Sequence, residues 1–153
     1  MRRLLLFSAI FLTGCAAPKE DFSFRKTQLF VHDTQLARQQ KGGHAMIDFE
    51  RERMDFGTVT AAEREAKEGH YLNFWWRARR TADITVRLEY RQQNTGDRVH
   101  VQEVKIAQAR GTVETRFRVM GDEYRKGGRI IAWRARLLKD GEAVAETRSF
   151  LWE

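Results

Sequence analysis

From Tyr71 to the carboxyl terminus the chain alternates apolar and polar residues with a period of two. Tyr71 to Arg79 places Leu72, Phe74, Trp76 and Ala78 on one face and Asn73, Trp75, Arg77 and Arg79 on the other. Ile84, Val86, Leu88 and Tyr90 alternate with Thr85, Arg87, Glu89 and Arg91. The pattern repeats at Val113, Thr115, Phe117 and Val119, between Glu114, Arg116 and Arg118, and again at Ile131, Trp133, Ala135 and Leu137, between Arg134 and Arg136. Successive side chains of a strand point to opposite faces, so this pattern predicts half-buried antiparallel strands, apolar inward and charged outward. Turn residues fall between them. Asn94-Thr95-Gly96-Asp97 and Lys139-Asp140-Gly141 predict hairpins, Gly111 a corner, and Gly121 to Gly128 a longer polar loop. Phe150 and Trp152 continue the apolar pattern to the end, which predicts a last strand built into the sheet.

The amino-terminal half is patterned differently. Met46 to Phe49 and Met54 to Val59 read as strand material whose apolar parity switches between them, so a bulge or turn is expected near Arg51 to Arg53. Thr60-Ala61-Ala62-Glu63 has the form of a capping box, Glu63 and Lys67 are an i,i+4 pair, and Gly69 is a stop signal. One short helix near residues 61–68 is expected between strands. Residues 27–41 fit either a strand at Leu29 to His32 or a helix capped by Asp33.

Together these elements predict an all-β chain of about seven to eight antiparallel strands with that one short helix. Strand count and turn spacing resemble an immunoglobulin-like or fibronectin-III-like sandwich over residues 27–153, although the cysteine pair of antibody domains is absent. The alternative is a small β-barrel of the kind that shields a lipid.

The first fifteen residues carry a separate signal. Arg2 and Arg3 precede an apolar run from Leu4 to Leu12, too short to span a bilayer as a helix, and Leu12-Thr13-Gly14-Cys15 follows. This resembles the signal peptide and lipobox of bacterial lipoproteins. The resemblance implies cleavage after residue 14, a diacylglycerol on Cys15 and commonly an acylated new amino terminus. Two or three acyl chains, at roughly 0.8 kcal/mol per buried CH₂, anchor a protein durably. Ala16, where an aspartate would favour retention in the inner membrane, points to the outer membrane facing the periplasm. The expected organisation is a signal peptide at 1–14, a lipidated cysteine and tether at 15–26, and a β domain at 27–153.

Composition narrows the function. The 153 residues carry a formal charge of +7, and arginines outnumber lysines 21 to 7. Arg2 and Arg3 leave with the signal, so 26 basic against 21 acidic residues remain, a formal +5. Export removes nucleic acid as a routine partner and leaves lipopolysaccharide, anionic headgroups, peptidoglycan or an acidic envelope protein. Catalytic signatures are weak. Ser23 and Ser149 lie outside any nucleophile-elbow context, and the only thiol is the one expected to be acylated. His32, His44, His70 and His100 are scattered; His44 with Asp48 and Glu50 comes nearest to a metal cluster and reads better as a solvated strand edge. No glycine-rich phosphate loop follows a strand, so no cofactor is expected.

What stands out is an outward arginine pattern: Arg77, Arg79, Arg87, Arg91, Arg116, Arg118, Arg134 and Arg136, with Trp75 on the same parity as Arg77. Guanidinium forks suit carboxylate or phosphate, and an exposed indole adds stacking. Glu89, Glu103, Glu114 and Glu146 also point outward and are expected to neutralise part of that surface by cross-strand pairing. The functional expectation is a lipid-anchored envelope protein that binds or scaffolds another envelope component without catalysis. The alternative is an envelope enzyme or a lipid or glycan carrier.

Overall fold

A computed structural model of the chain describes residues 20–33, 49, 52, 53 and 56–153. Its elements in chain order are β1 (Phe22–His32), α1 (Ala61–Lys67), β2 (Gly69–Gln92), β3 (His100–Met120), α2 (Asp122–Gly127), β4 (Ile130–Lys139) and β5 (Glu142–Arg148). All five strands belong to one antiparallel sheet. The protein is all-β in character.

The sheet is organised around β2, whose 24 residues serve as a spine. Along one edge β2 pairs with β3 for nearly its whole length, from Gly69↔Met120 to Tyr90↔His100. The other edge is shared. β1 takes residues 69–78 and β4 takes residues 85–92. β5 then pairs with β4 and comes alongside β1, with no ladder between those two among the described residues. The result is a curled sheet, a half-barrel.

Five strands stand where seven to eight were expected, because two expected breaks are bends inside continuous strands. In β2 the register slips between Ala78 and Ile84 while the backbone stays extended. β3 follows the bend with two left-handed residues, Gln108 (φ 49°) and Gly111 (φ 77°). The Gln108 amide donates to Asp83 Oδ1 at 2.7 Å, which ties the β3 bulge to the β2 bend.

The bend folds the apolar face of β2 onto itself. Leu72, Phe74, Trp76, Ala78, Ile84, Val86, Leu88 and Tyr90 are all buried, as the alternation predicts. Phe74 packs edge-on against Phe24 of β1, Phe117 of β3 and Trp133 of β4, with ring centroids 5.9, 6.0 and 5.3 Å away. Such edge-to-face pairs contribute about 1 kcal/mol each beyond area burial. The Trp76 indole is fully buried, and its N–H donates to Thr115 Oγ1 at 3.0 Å, so no polar atom of that ring is stranded.

Several local expectations change. β1 begins at Phe22, inside the stretch assigned to the tether, because Phe22 is buried in the core and Phe24 packs on Phe74. Phe56 to Val59 form a turn and irregular chain rather than strand, with Gly57 at φ 80°. The Met46 to Phe49 expectation lies largely outside the described residues, and Phe49 itself is helical. Helix α1 forms where the capping box predicts it: Thr60 Oγ1 accepts from the Glu63 amide at 3.2 Å and the Glu63 carboxylate accepts from the Thr60 amide at 2.9 Å. The polar loop at 121–128 holds helix α2, seated on fully buried Gln92, which donates to the Glu123 and Gly128 carbonyls. Asp140 and Gly141 both take positive φ (52° and 86°), the two-residue turn that the β4–β5 twist favours. Ile131 is exposed rather than inward. The last strand ends at Arg148, with Phe150 exposed.

A buried polar cluster closes the end of the sheet where β1, β2 and α2 meet. The Tyr124 hydroxyl donates to Asp33 Oδ2 at 3.0 Å, and the Tyr124 ring lies 5.7 Å from His70. Burial, then the Asp33 hydrogen bond, pushes the Tyr124 phenol up to about 12. Burial and the nearby Arg129 hold His70 down to about 4, against a smaller opposing effect of Asp33.

A Cβ at Gly69 would lie 2.8 Å from Met120 Cα and closer still to the Val119 carbonyl oxygen. Gly69→Ala therefore costs about 2 kcal/mol in urea unfolding, as backbone must shift to admit the methyl. His70 is neutral when folded but titrates near its ordinary value of 6.5 when unfolded, so the unfolded chain gains a proton first as pH falls. Stability then drops between pH 6.5 and about 4, by roughly 3 kcal/mol from this group. Unfolding of His70→Gln at pH 7 and pH 4.5 should show that slope largely removed.

Candidate functional site

Which outward side chains meet is settled by register. On the half of the sheet made by β1, the first half of β2 and the second half of β3, paired residues form rows: Lys26–Trp75–Glu114, Gln28–Asn73–Arg116 and Phe30–Tyr71–Arg118. The β1 side chains join this face only because the register slips at Arg25, between Phe24 and Lys26. Apart from Lys26, the residues of these rows line an open groove of about 560 Å³, with Met120, Lys67 and Arg53 completing the lining. That is within the size range of small-ligand sites.

The end of α1 reaches the groove through Lys67. The Tyr71 hydroxyl donates to the Lys67 carbonyl at 2.6 Å, and the Lys67 ammonium donates to the Phe56 carbonyl at 3.2 Å, so the last turn of α1 is pinned to the floor. Among the described residues that line the groove are Arg53, Lys67, Arg116 and Arg118, and one carboxylate, Glu114. Arg116 holds Glu114 through Nε at 2.8 Å and Nη2 at 3.0 Å, which keeps that carboxyl below its usual range. Arg118 has no ion pair among the described residues. Lys26 sits over the Trp75 ring at 5.0 Å. The floor thus combines the partly exposed Trp75 and Phe30 rings, two primary amides and, among the described residues, one guanidinium without an ion pair.

The remaining expected arginines go elsewhere. Arg77 and Arg79 are exposed beyond the groove, toward the bend of β2. Arg87, Arg91, Arg134 and Arg136 lie on the outer face of the other half of the sheet, where the rows are Glu103–Arg87–Arg136 and Glu89–Arg134. Arg87 pairs with Glu103, and Arg134 and Arg136 both clamp Glu89. The Trp152 ring is buried beneath Arg91 and Arg134, whose guanidinium carbons lie 5.1 and 5.0 Å from its centroid. Ser149 secures this carboxyl-terminal cap: its Oγ accepts from the Trp133 amide at 3.0 Å, and its own amide donates to the Trp133 carbonyl. Burial by itself would raise the Glu89 carboxyl, but the hydrogen bonds from Arg134 and Arg136 outweigh it and hold the carboxyl low. These arginines pack the sheet's outer face.

Of the residues expected to form an anion surface, the groove gathers Trp75, Arg116 and Arg118. It adds Tyr71 and Asn73, which share Trp75's parity on β2. Gln28, Phe30, Arg53 and Lys67 join through register and chain path, which parity does not encode. Cys15 and the His44, Asp48 and Glu50 set lie outside the described residues. A shallower recess of about 360 Å³ at the bend, between Asp83, Lys105, Leu138 and Asp140, mixes apolar and charged walls without an aromatic face.

Comparison with known proteins yields no matching family model and no similar curated protein. Among the described residues no helix is long and apolar enough to cross a membrane.

The Glu89 clamp has a measurable cost of removal. Glu89→Gln leaves two partly buried guanidinium groups short of a counter-charge and lowers unfolding stability by about 2 kcal/mol at pH 7. Because the folded carboxyl is held below its ordinary value of 4.5, the wild-type protein loses this contribution as pH falls below 4.5. The gap between wild type and variant in chemical denaturation should therefore narrow toward pH 3.

Proposed function

We propose that this chain is a lipid-anchored protein of the bacterial cell envelope, held through Cys15, whose β domain is a non-catalytic binding module for another envelope component. The groove over Trp75, Asn73, Gln28, Arg116 and Arg118 carries this reading, because it joins aromatic and amide groups with a guanidinium that has no ion pair among the described residues. The anchor rests on the Leu12-Thr13-Gly14-Cys15 motif behind Arg2, Arg3 and a short apolar run. Ala16 after the cysteine favours the outer membrane, facing the periplasm. The two halves of the curled sheet face each other across Phe74 and Trp133, which supports an immunoglobulin-like sandwich in which β2 and β3 each count twice.

A binding role also fits the interior. Phe74, Trp76, Phe117 and Trp133 occupy the space that a lipid carried inside the curl would need. Ligand capture then falls to the outer face, where net positive charge attracts anionic envelope components.

Two experiments in cells check the reading. Cys15→Ser should abolish fatty-acid labelling and release the protein from membranes; retention of labelling or of membrane association would sink the anchor. A photo-crosslinking residue at Gln28, on the groove floor, should capture an envelope component that one at Thr85, on the opposite half, does not.

A further inference from the structure

We infer that the outer edge of β3 pairs antiparallel with the β3 edge of a second copy of this chain, giving a two-fold dimer whose sheet runs on from one copy to the other. Neither the anchor nor the groove is needed for it. β1 and β5 come alongside each other, whereas β3, 21 residues long, pairs with β2 alone among the described residues. A strand edge presents a row of backbone N–H and C=O groups that can take another strand.

The core thins along that same edge. Val86 and Ile84 of β2 are buried, but their neighbours Val104 and Ile106 on β3 are only partly so. Val113, paired with the fully buried Trp76, is likewise only partly covered. All three pack on the core, and among the described residues no strand lies on their far side. Covering them takes one more strand that brings apolar residues to the same level.

Shape restricts that strand. β3 bends with β2 through the left-handed Gln108 and Gly111, so a straight partner would follow only one of its arms. A second β3, turned about a two-fold axis through the bend, has the same bend in the same place. Inward parity also changes across the bend, from Val104 and Ile106 to Val113 and Thr115. An antiparallel copy lays each arm beside the other arm, which matches the change when Gln108 stands opposite Gly111 of the second copy.

Charge selects the same register. With Gln108 and Gly111 opposed, Ile106 meets Val113 and Val104 meets Thr115 of the second copy on the inner face. On the outer face Lys105 meets Glu114 and Glu103 meets Arg116, all four of them exposed in the single chain. Opposite charges directly across an antiparallel pair are favourable, and like charges are not. The Arg87–Glu103 and Arg116–Glu114 pairs stay inside the resulting network. Sliding the copy by one residue turns inward side chains outward. Sliding it by two sets Glu103 against Glu114 in one direction and Lys105 against Arg116 in the other. One register thus satisfies both faces, and its contacts are reciprocal, as an isologous interface requires.

The test uses two differently tagged copies of the full-length chain, co-expressed and purified in excess detergent. Wild-type copies should co-purify. Lys105→Glu in both copies, or Glu114→Lys in both, opposes like charges and should lower recovery of the second tag at least fivefold. Lys105→Glu in one copy with Glu114→Lys in the other restores opposite charges and should recover most of the loss, which a folding defect would not allow. In a Cys15→Ser background, Ala107→Cys in one copy should form a disulfide with Thr112→Cys in the other under mild oxidation. Ala107→Cys with Arg110→Cys should do so at least fivefold less. Wild-type copies that do not co-purify overturn the dimer and leave the envelope-binding reading in place. Recovery unchanged by either charge reversal, no recovery in the mixed pair, or a stronger crosslink at Arg110→Cys overturns the register.

Discussion

Strand β2 has to satisfy β3 on one edge and two different strands on the other, and the bend between Ala78 and Ile84 makes that possible. Were β2 straight, its eight inward side chains would form one flat apolar stripe with nothing to cover it. Bent, the stripe covers itself: Phe74 in the first half meets Trp133, a neighbour of the second half, at 5.3 Å. The bend in turn requires β3 to follow, which explains the left-handed Gln108 and Gly111 and the Gln108–Asp83 hydrogen bond. Curling, core closure and the split of the outer surface into two faces are consequences of that single constraint.

That split explains why arginines of identical parity have different roles. On the half formed with β4, the cross-strand neighbours of Arg87 and Arg134 are Glu103 and Glu89, and the carboxyl-terminal segment folds back to place Trp152 under Arg91 and Arg134. Charge there is consumed in holding β4, β5 and the cap together. On the half formed with β1, the neighbours of Arg116 and Arg118 are Asn73 and Tyr71, which carry no charge. Arg118 meets a neutral partner and has no ion pair among the described residues, and it lines the groove.

The alternation at Leu72 to Ala78 and Ile84 to Tyr90 was legible because one face of the sheet is buried and the other is not, and the periodicity records that difference directly. The Thr60–Glu63 capping box and the Asp140-Gly141 turn were legible because each depends on residues close in sequence. Strand number was not, because Arg79 to Thr81 look like a break by composition yet stay extended as a bend. Helix α2 was hidden for a related reason: it is one turn held by Gln92 and Tyr90, distant in sequence. The candidate groove was half legible. Trp75, Arg116 and Arg118 share outward parity, but Gln28 and Phe30 reach them only through the slip at Arg25.

By itself the sequence determined local periodicity, turn chemistry and the capped helix, since all of these are read from residues within a few positions of one another. Tertiary structure decided which strand lies beside which, and therefore which arginine meets a glutamate and which meets an amide. Pairing register is a long-range choice, made by packing Phe22, Phe74 and Trp133 into one core. A shift of one residue would turn every side chain of a strand to the other face.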